Sequence, residues 1–597
     1  MKYPTLAQMN TSREWLDVFK GYNHNLRIGE GEFYEMTNLS SDNFPILSPR
    51  GKRGIYEHPT NPHGMVAKDA LCYVDGSDFV INGYRVPMGL TVDKDGKGKV
   101  IPKTLISMGA YVIIMPDKKY INTTDFDYNG SRSDFGPIDK VFDSEGVTVN
   151  FYLCKKNGEL FSNVSDNPPE ITEELEKDPS KIPYWRDLSN KALKKYSLTD
   201  SSWIAVDTYI KISVSGIGLN FSVGDGVNIE GVISPASING LAVIQAKDEK
   251  NGGWIVVKGF HDGSGTSDSQ NSPIRITRTM PDLDFVIESG NRLWGCRYGI
   301  QGSKIVNEIY ASKLGDFRNW NCFEGISTDS YAASLGTDGQ FTGAITYLGY
   351  PLFFKEGCVH KVYGSYPANY QIQTTACRGV QKGCDRSLAI VNEVLYYKAR
   401  SGICAYDGSL PEEISYALGD VAYHDAVAGV LGNKYYVSMA DTSERYSLFV
   451  YDTAKGMWHR EDETEAMDFC NCRGDLYFID YADKQIKTVK GTGVAETAPI
   501  KWQAVTGIIG TDSPDKKYIS RMDVRMSLSV GARASFYAEY DSSGEWEYLF
   551  TMDGVKLRTF PVPIKPKRCD HLRLKIMGSG EAKIFSICKT IEQGSDV

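Results

Sequence analysis

DFVIESGNRLWGCRYG (residues 284–299), AITYLGYPLFFKEGCVHKVYG (344–364), LAIVNEVLYYKARSGICAYDG (388–408), AVAGVLGNKYYVSMA (426–440) and DFCNCRGDLYFIDYADKQIKTVKG (468–491) repeat one pattern. Each is a short apolar strand, a tight turn, then a second strand rich in Tyr, Phe and Val. With Gly290, Gly349, Glu393, Gly432 and Gly474 as turn anchors, the steps are 59, 44, 39 and 42 residues. A period near 40 with several strands per unit is the sequence form of a β-propeller blade. Upstream, AKDALCYVDGSDFVING (67–83) and SMGAYVIIMPDKKYINT (107–123) fit the same template, with turns at Asp69 and Gly109, 40 apart. The count predicts an all-β chain with a propeller of about seven blades. Two units add a β-rich run, a turn and then Trp, which places Trp320 and Trp458 between neighbouring blades.

Working outward, the gap from Gly109 to Gly290 is 181 residues where one period is about 40, so something is inserted. From about 139 to 278 the pattern changes. A hairpin (VTVNFYLCKKNGELF) leads into EITEELEKDPSKIPYWRDLSNKALKKY, whose alternating charge predicts short exposed helices, and five short strands with Gly-rich turns follow. Residues after 495 read as another antiparallel body, with Met522, Val524 and Met526 alternating against Arg521, Asp523 and Arg525. The expected organisation is an N-terminal arm and entry segment (1–54), a propeller (55–138 and 279–495), an inserted β-rich domain (139–278) and a C-terminal β-sandwich (496–597). An insertion into a ring requires its two ends, near Asp139 and Arg278, to lie close together.

Of 597 residues, 41% are hydrophobic and 24% charged, which describes a folded protein, and 58 Gly with 36 Tyr lean towards β-structure with many turns. A net charge of -9 argues against a protein that coats duplex DNA, because such proteins bind by neutralising phosphates. No apolar run near Met1 suits a signal peptide, so synthesis in a cytosol is expected. The twelve Cys then read as buried thiols rather than disulfides.

The entry segment carries a resemblance. Asn38, Leu39, Asp42, Pro45, Leu47, Arg50 and Gly54 set out N-L-S-x-D-x-x-P-x-L-x-x-R ahead of the blades, and this is similar to the β-propeller virion proteins of tailed bacteriophages, including tail-hub and packaged-DNA-stabilisation proteins. The resemblance implies a virion protein made in the host cytoplasm, with other tail or connector proteins as partners and a homo-oligomeric ring as one arrangement. It implies contact with nucleic acid only through packaged DNA, and the lack of any segment near the ~20 apolar residues needed to span a bilayer predicts no membrane partner.

Motifs that carry chemistry are sparse. No G-x-S-x-G elbow occurs among the eight His, and His360 and His459 fall in or beside strands. Asp93 to Gly98 opens like a calcium loop but lacks the downstream carboxylates, and it reads as a turn. Gly263 to Ser272 reads as a flexible connection. No catalytic, cofactor-binding or metal-binding residue is assigned. The expectation is a protein without enzyme activity, docking to ring-shaped neighbours mainly through the C-terminal sandwich and an arm holding Tyr3, Leu6, Met9, Trp15, Leu16 and Phe19, with a short helix from Ser12 to Phe19, and also through a basic turn of Arg50, Lys52 and Arg53. The alternative is a glycan-binding or glycan-degrading propeller, and the discriminating feature is inward-pointing carboxylates or His at the blade mouths.

Overall fold

The computed structural model describes residues 11–124, 134–302, 304–510 and 516–593. Seven antiparallel meanders stand around one axis. Their inner strands are Pro62–Ala67, Thr104–Met108, Phe285–Ser289, Phe341–Tyr347, Ala389–Val391, Tyr423–Leu431 and Ala466–Cys472. Six blades draw all four of their strands from consecutive sequence. The seventh has three, and its fourth is Gly54–Glu57 from the entry segment, paired with Ile486–Thr488. At Gly54 a Cβ would lie 2.2 Å from the Thr492 carbonyl oxygen, so only glycine lets this closing strand seat.

The core is a set of seams between blades. Val66, Cys72 and Phe79 of the first blade meet Val112, Ile114 and Ile121 of the second. Trp320 and Phe317 fill the seam between the second and third, and Trp294 and Phe353 the seam between the third and fourth. Met65, Leu71 and Tyr73 of the first blade pack on Met467, Tyr477 and Ile479 of the seventh, and this contact closes the ring. Flat apolar faces on successive twisted sheets leave no other partner than the next sheet, which is why a fixed sequence period becomes a circle.

The inserted segment forms an eight-stranded sheet and a four-stranded sheet around its own core of Val149, Phe151, Ile212, Val227, Ile255 and Ile276. Its first and last strands, Lys140–Asp143 and Arg275–Arg278, pair with Lys140 opposite Arg278, so the ends lie side by side. Within it the expected helices shrink to Glu173–Lys177 and a single 3₁₀ turn, Pro179–Lys181. The rest of that charged stretch is the hairpin Tyr184–Asp187 and Ala192–Ser197. Cross-strand pairing outweighs the weak helical charge pattern here. The Gly/Ser-rich stretch is not a free connection either, because Ser267–Gln270 pairs with Val149–Cys154.

Residues after 500 form two facing sheets with Met522, Val524, Met526, Phe536, Leu574 and Ile584 between them. The N-terminal segment belongs to this body. Where a helix was expected, Thr11–Leu16 is a strand on the edge of Ala582–Gln593, with Trp15 opposite Cys588. Gly21–Tyr22 then pairs with Trp458 on one side and with Glu32–Thr37 on the other. The outer strand of the sixth blade and one sheet of the C-terminal body thereby join into one ten-stranded sheet. No helix among the described residues is long and apolar enough to cross a membrane.

Candidate active site at the axial mouth

The inner strands begin at one face of the ring, and ionisable side chains gather there. The fifth blade has the shortest inner strand, three residues, preceded by a 3₁₀ turn, Asp385–Ser387. That turn directs Arg386 across the axis. Its Nη2 donates to the Pro102 and Lys103 carbonyls at 2.8 and 3.1 Å, and its Nη1 lies 3.1 Å from Asp468 Oδ1 of the seventh blade. Asp468 Oδ2 accepts the Met65 amide at 2.9 Å. One guanidinium thus ties the fifth and seventh blades to the connection between the first and second. Beside it, the wholly buried Lys103 ammonium meets Asp93 at 2.7 Å and Asp117 at 2.8 Å. The carboxylate of Asp93, the residue that opens the calcium-like loop, is therefore taken by lysine.

Asp385 differs from these paired groups. It is half-buried, and among the described residues no lysine or arginine lies within ion-pair distance of its carboxyl. Burial pushes its pKa above the ordinary aspartate value against the weaker pull of neighbouring Arg386. Asp468 is also raised by burial, but Arg386 and two backbone amides hold it.

At the start of the sixth blade's inner strand, the pairing register shifts between His424 and Val427, and Asp425 takes a left-handed φ of 49°. Bulges re-aim a side chain, and here the result is an exposed Asp425 carboxylate 3.2 Å from His424 Nδ1. Ligand-type atoms of His424, Asp425 and Glu444 lie within 4.8 Å of one another. Lys97, from the long connection between the first and second blades, sits 2.8 Å from Glu444 and holds that carboxylate below its ordinary pKa. A cation at this cluster would compete with Lys97. The two segments meet, because the Ala426 amide donates to Cys384 Sγ at 3.4 Å, and Asp385 and Asp425 each adjoin one of these residues in sequence.

The residues expected to dock partners are dispersed. Tyr3, Leu6 and Met9 lie outside the described residues. Trp15 is exposed, whereas Leu16 packs against the core and Phe19 is 4% exposed within it. Arg53 is buried on Glu461 at 2.6 Å and Asp462 at 2.8 Å, and Arg50 pairs with Glu496 at 3.0 Å. Only Lys52 of that basic turn is exposed. Phe19 and Arg53 serve the chain's own packing, since Phe19 stacks on Phe33 within the core and Arg53 sits between two acids. Sequence reasoning missed Asp385, Arg386, Asp425 and Asp468. Their one signal was ionisable residues at the head of otherwise apolar inner strands.

No protein-family model and no curated protein matches the chain. Among solved structures, it is similar to an exo-β-1,3-galactanase from Phanerochaete chrysosporium, crystallised with galactose, at 8% identity over 51% of this chain and 94% of that one, with a TM-score of 0.19. A glycoside hydrolase family 43 arabinoxylan arabinofuranohydrolase from Bacillus subtilis, in complex with cellotetraose, matches at 7% identity over 51% and 94%, TM-score 0.19. A family 43 protein from Bacillus licheniformis matches at 8% identity over 51% and 97%, TM-score 0.20. These findings correct the expectation of a structural virion protein that is not an enzyme, because the similar structures are glycoside hydrolases. At such TM-scores they lend no residue role to this chain, and the reading below rests on the axial mouth alone.

Proposed function

We propose that the chain is a glycan-degrading propeller whose chemistry takes place at the axial mouth. The observation that carries this reading is one carboxyl group, Asp385, whose pKa burial raises above the ordinary aspartate value, in a turn that the contact between Ala426 and Cys384 joins to the strand head carrying the exposed Asp425, with Glu444 held below its ordinary value by Lys97. Glycosidic bond cleavage needs that inequality: an acid to protonate the leaving oxygen and a carboxylate to activate water or stabilise the positive sugar ring. In this assignment Asp385 donates the proton to the departing glycosidic oxygen. Asp425, steadied by His424, accepts one from the attacking water. Arg386 and Lys103 hold the floor of the site through ion pairs and do no proton transfer themselves.

The test is release of reducing ends from polysaccharides, beginning with β-1,3-galactan and arabinoxylan. Wild-type protein should release sugar, and Asp385→Asn should lower the rate by at least ~100-fold, the usual worth of a positioned acid, with thermal stability unchanged. Equal rates in the two proteins would remove Asp385 from the chemistry.

A further inference from the structure

The four-stranded sheet of the inserted body has an outer face that its own fold leaves open. On Ala192–Ser197, Leu193 points inward and is fully buried, with Tyr184 and Val206 of the flanking strands packed against the same core. Strand alternation turns Lys194 and Tyr196 to the opposite face. The register sets Trp185 opposite Lys194 and Trp203 opposite Tyr196. The rings of Trp185 and Trp203 are 5.7 Å apart, those of Tyr196 and Trp203 are 5.4 Å apart, and both pairs meet edge to face. Lys194 Nζ lies 4.5 Å from the Trp185 ring centre. All four side chains are partly open to solvent, and none of the three rings belongs to a hydrophobic core.

We infer that this face is a second glycan-binding site, a platform on which pyranose rings stack. The inference rests on the glycan reading of the axial mouth for its ligand class. The face has the two properties a sugar requires. The partly exposed rings of Trp203 and Tyr196, with the side of Trp185 that Lys194 does not cover, offer π-surface for the apolar C–H side of a pyranose. Its rim offers hydrogen-bonding groups for hydroxyls, with Asn190 and Lys194 each 2.7 Å from an Asp187 oxygen. The charges are also suited to a neutral ligand. Lys194 is balanced by Asp187, and Lys191 by Asp262 at 3.3 Å, so the face selects neither an anion nor a cation.

The test is affinity electrophoresis of the full-length chain in gels containing arabinoxylan or β-1,3-galactan, alongside reducing-end release from a short soluble oligosaccharide of the same linkage. At least one polysaccharide should retard the wild-type protein. Trp203→Ala and Trp185→Ala should each weaken that retardation by roughly tenfold, a size in line with one lost stacking contact, while leaving turnover of the short substrate unchanged. Trp203→Phe should keep most of the binding, which separates a lost ring from a damaged fold. Asp385→Asn should behave in the opposite way, binding normally without turnover. Absence of retardation by both polysaccharides, or Trp→Ala variants retarded as strongly as the wild type, would overturn the platform whatever the catalytic result. Retardation through the tryptophans without sugar release would leave the platform standing and remove the proposed activity.

Discussion

The ring and the inserted body close in different ways, and the difference separates what must stay together in this chain from what can be removed. The inserted body is closed by its own first and last strands, paired across its base. The ring is closed by Gly54–Glu57 on Ile486–Thr488, strands that meet from opposite ends of the sequence. A closure between distant segments makes the whole circle one cooperative unit, since its loss opens the seam between the seventh and first blades and exposes Met65, Tyr73, Met467 and Ile479. A local closure lets the insert hold its own fold, and its contact with the ring runs through Gly224, Asp225 and Gly226 on Lys313 and Asn319 of the third blade.

The largest effect should come from breaking the distant closure. Gly54→Val places a side chain into the Thr492 carbonyl and should abolish cooperative folding, seen as loss of a single thermal transition. Replacing residues 141–277 by a short Gly/Ser link should leave the transition of the ring in place. If both changes are equally damaging, the contrast between the two closures is wrong.

A smaller effect tests whether the axial floor is part of the closure. Arg386→Met strands Asp468 as a buried carboxylate and should cost about 3–5 kcal/mol in denaturant unfolding, much of it recovered in the Arg386→Met/Asp468→Leu double variant. A double variant no more stable than the single would show that the ion pair is not the linkage.

Smaller again is a pH effect at the entry segment. Arg53 holds the Asp462 carboxyl down at about 2, so the folded value is depressed relative to the unfolded one. The stability this pair adds is therefore present above the ordinary aspartate pKa and is lost as pH falls through about 2, amounting to about 2 kcal/mol. Arg53→Met should be less stable at neutral pH and should converge with the wild type in acid. Curves that stay parallel down to pH 2 would remove this pair from the account.

The repeat was legible because inter-blade packing imposes alternation on every unit, and Val286, Phe353 and Ile479 sit where that alternation puts them. The arm was misread. Its apolar residues suit a helix face or a strand edge equally, and the partner that decided the matter, Ala582–Gln593, lies at the other end of the chain. The axial mouth was illegible for a similar reason. Asp385, Asp425 and Asp468 come from three blades and have no common spacing, so only ring closure brings them to one face. Trp185 and Tyr196 were hidden by a helical charge pattern that the pairing of Trp185 with Lys194 overrides, and Trp203, read as the start of a strand, had no visible partner until Tyr196 paired opposite it.

The most direct test of the central claim is the pH dependence of kcat/KM for polysaccharide cleavage. A proton donor with a raised pKa is active only while protonated, so activity should fall as pH rises through the Asp385 value, and the need for an ionised base gives the profile its acidic limb. The account predicts a bell-shaped profile for the wild type, and for Asp385→Asn a strongly reduced rate whose alkaline limb is gone. A profile whose alkaline limb is unchanged in Asp385→Asn, or a wild-type protein that releases no sugar at any pH, would contradict it.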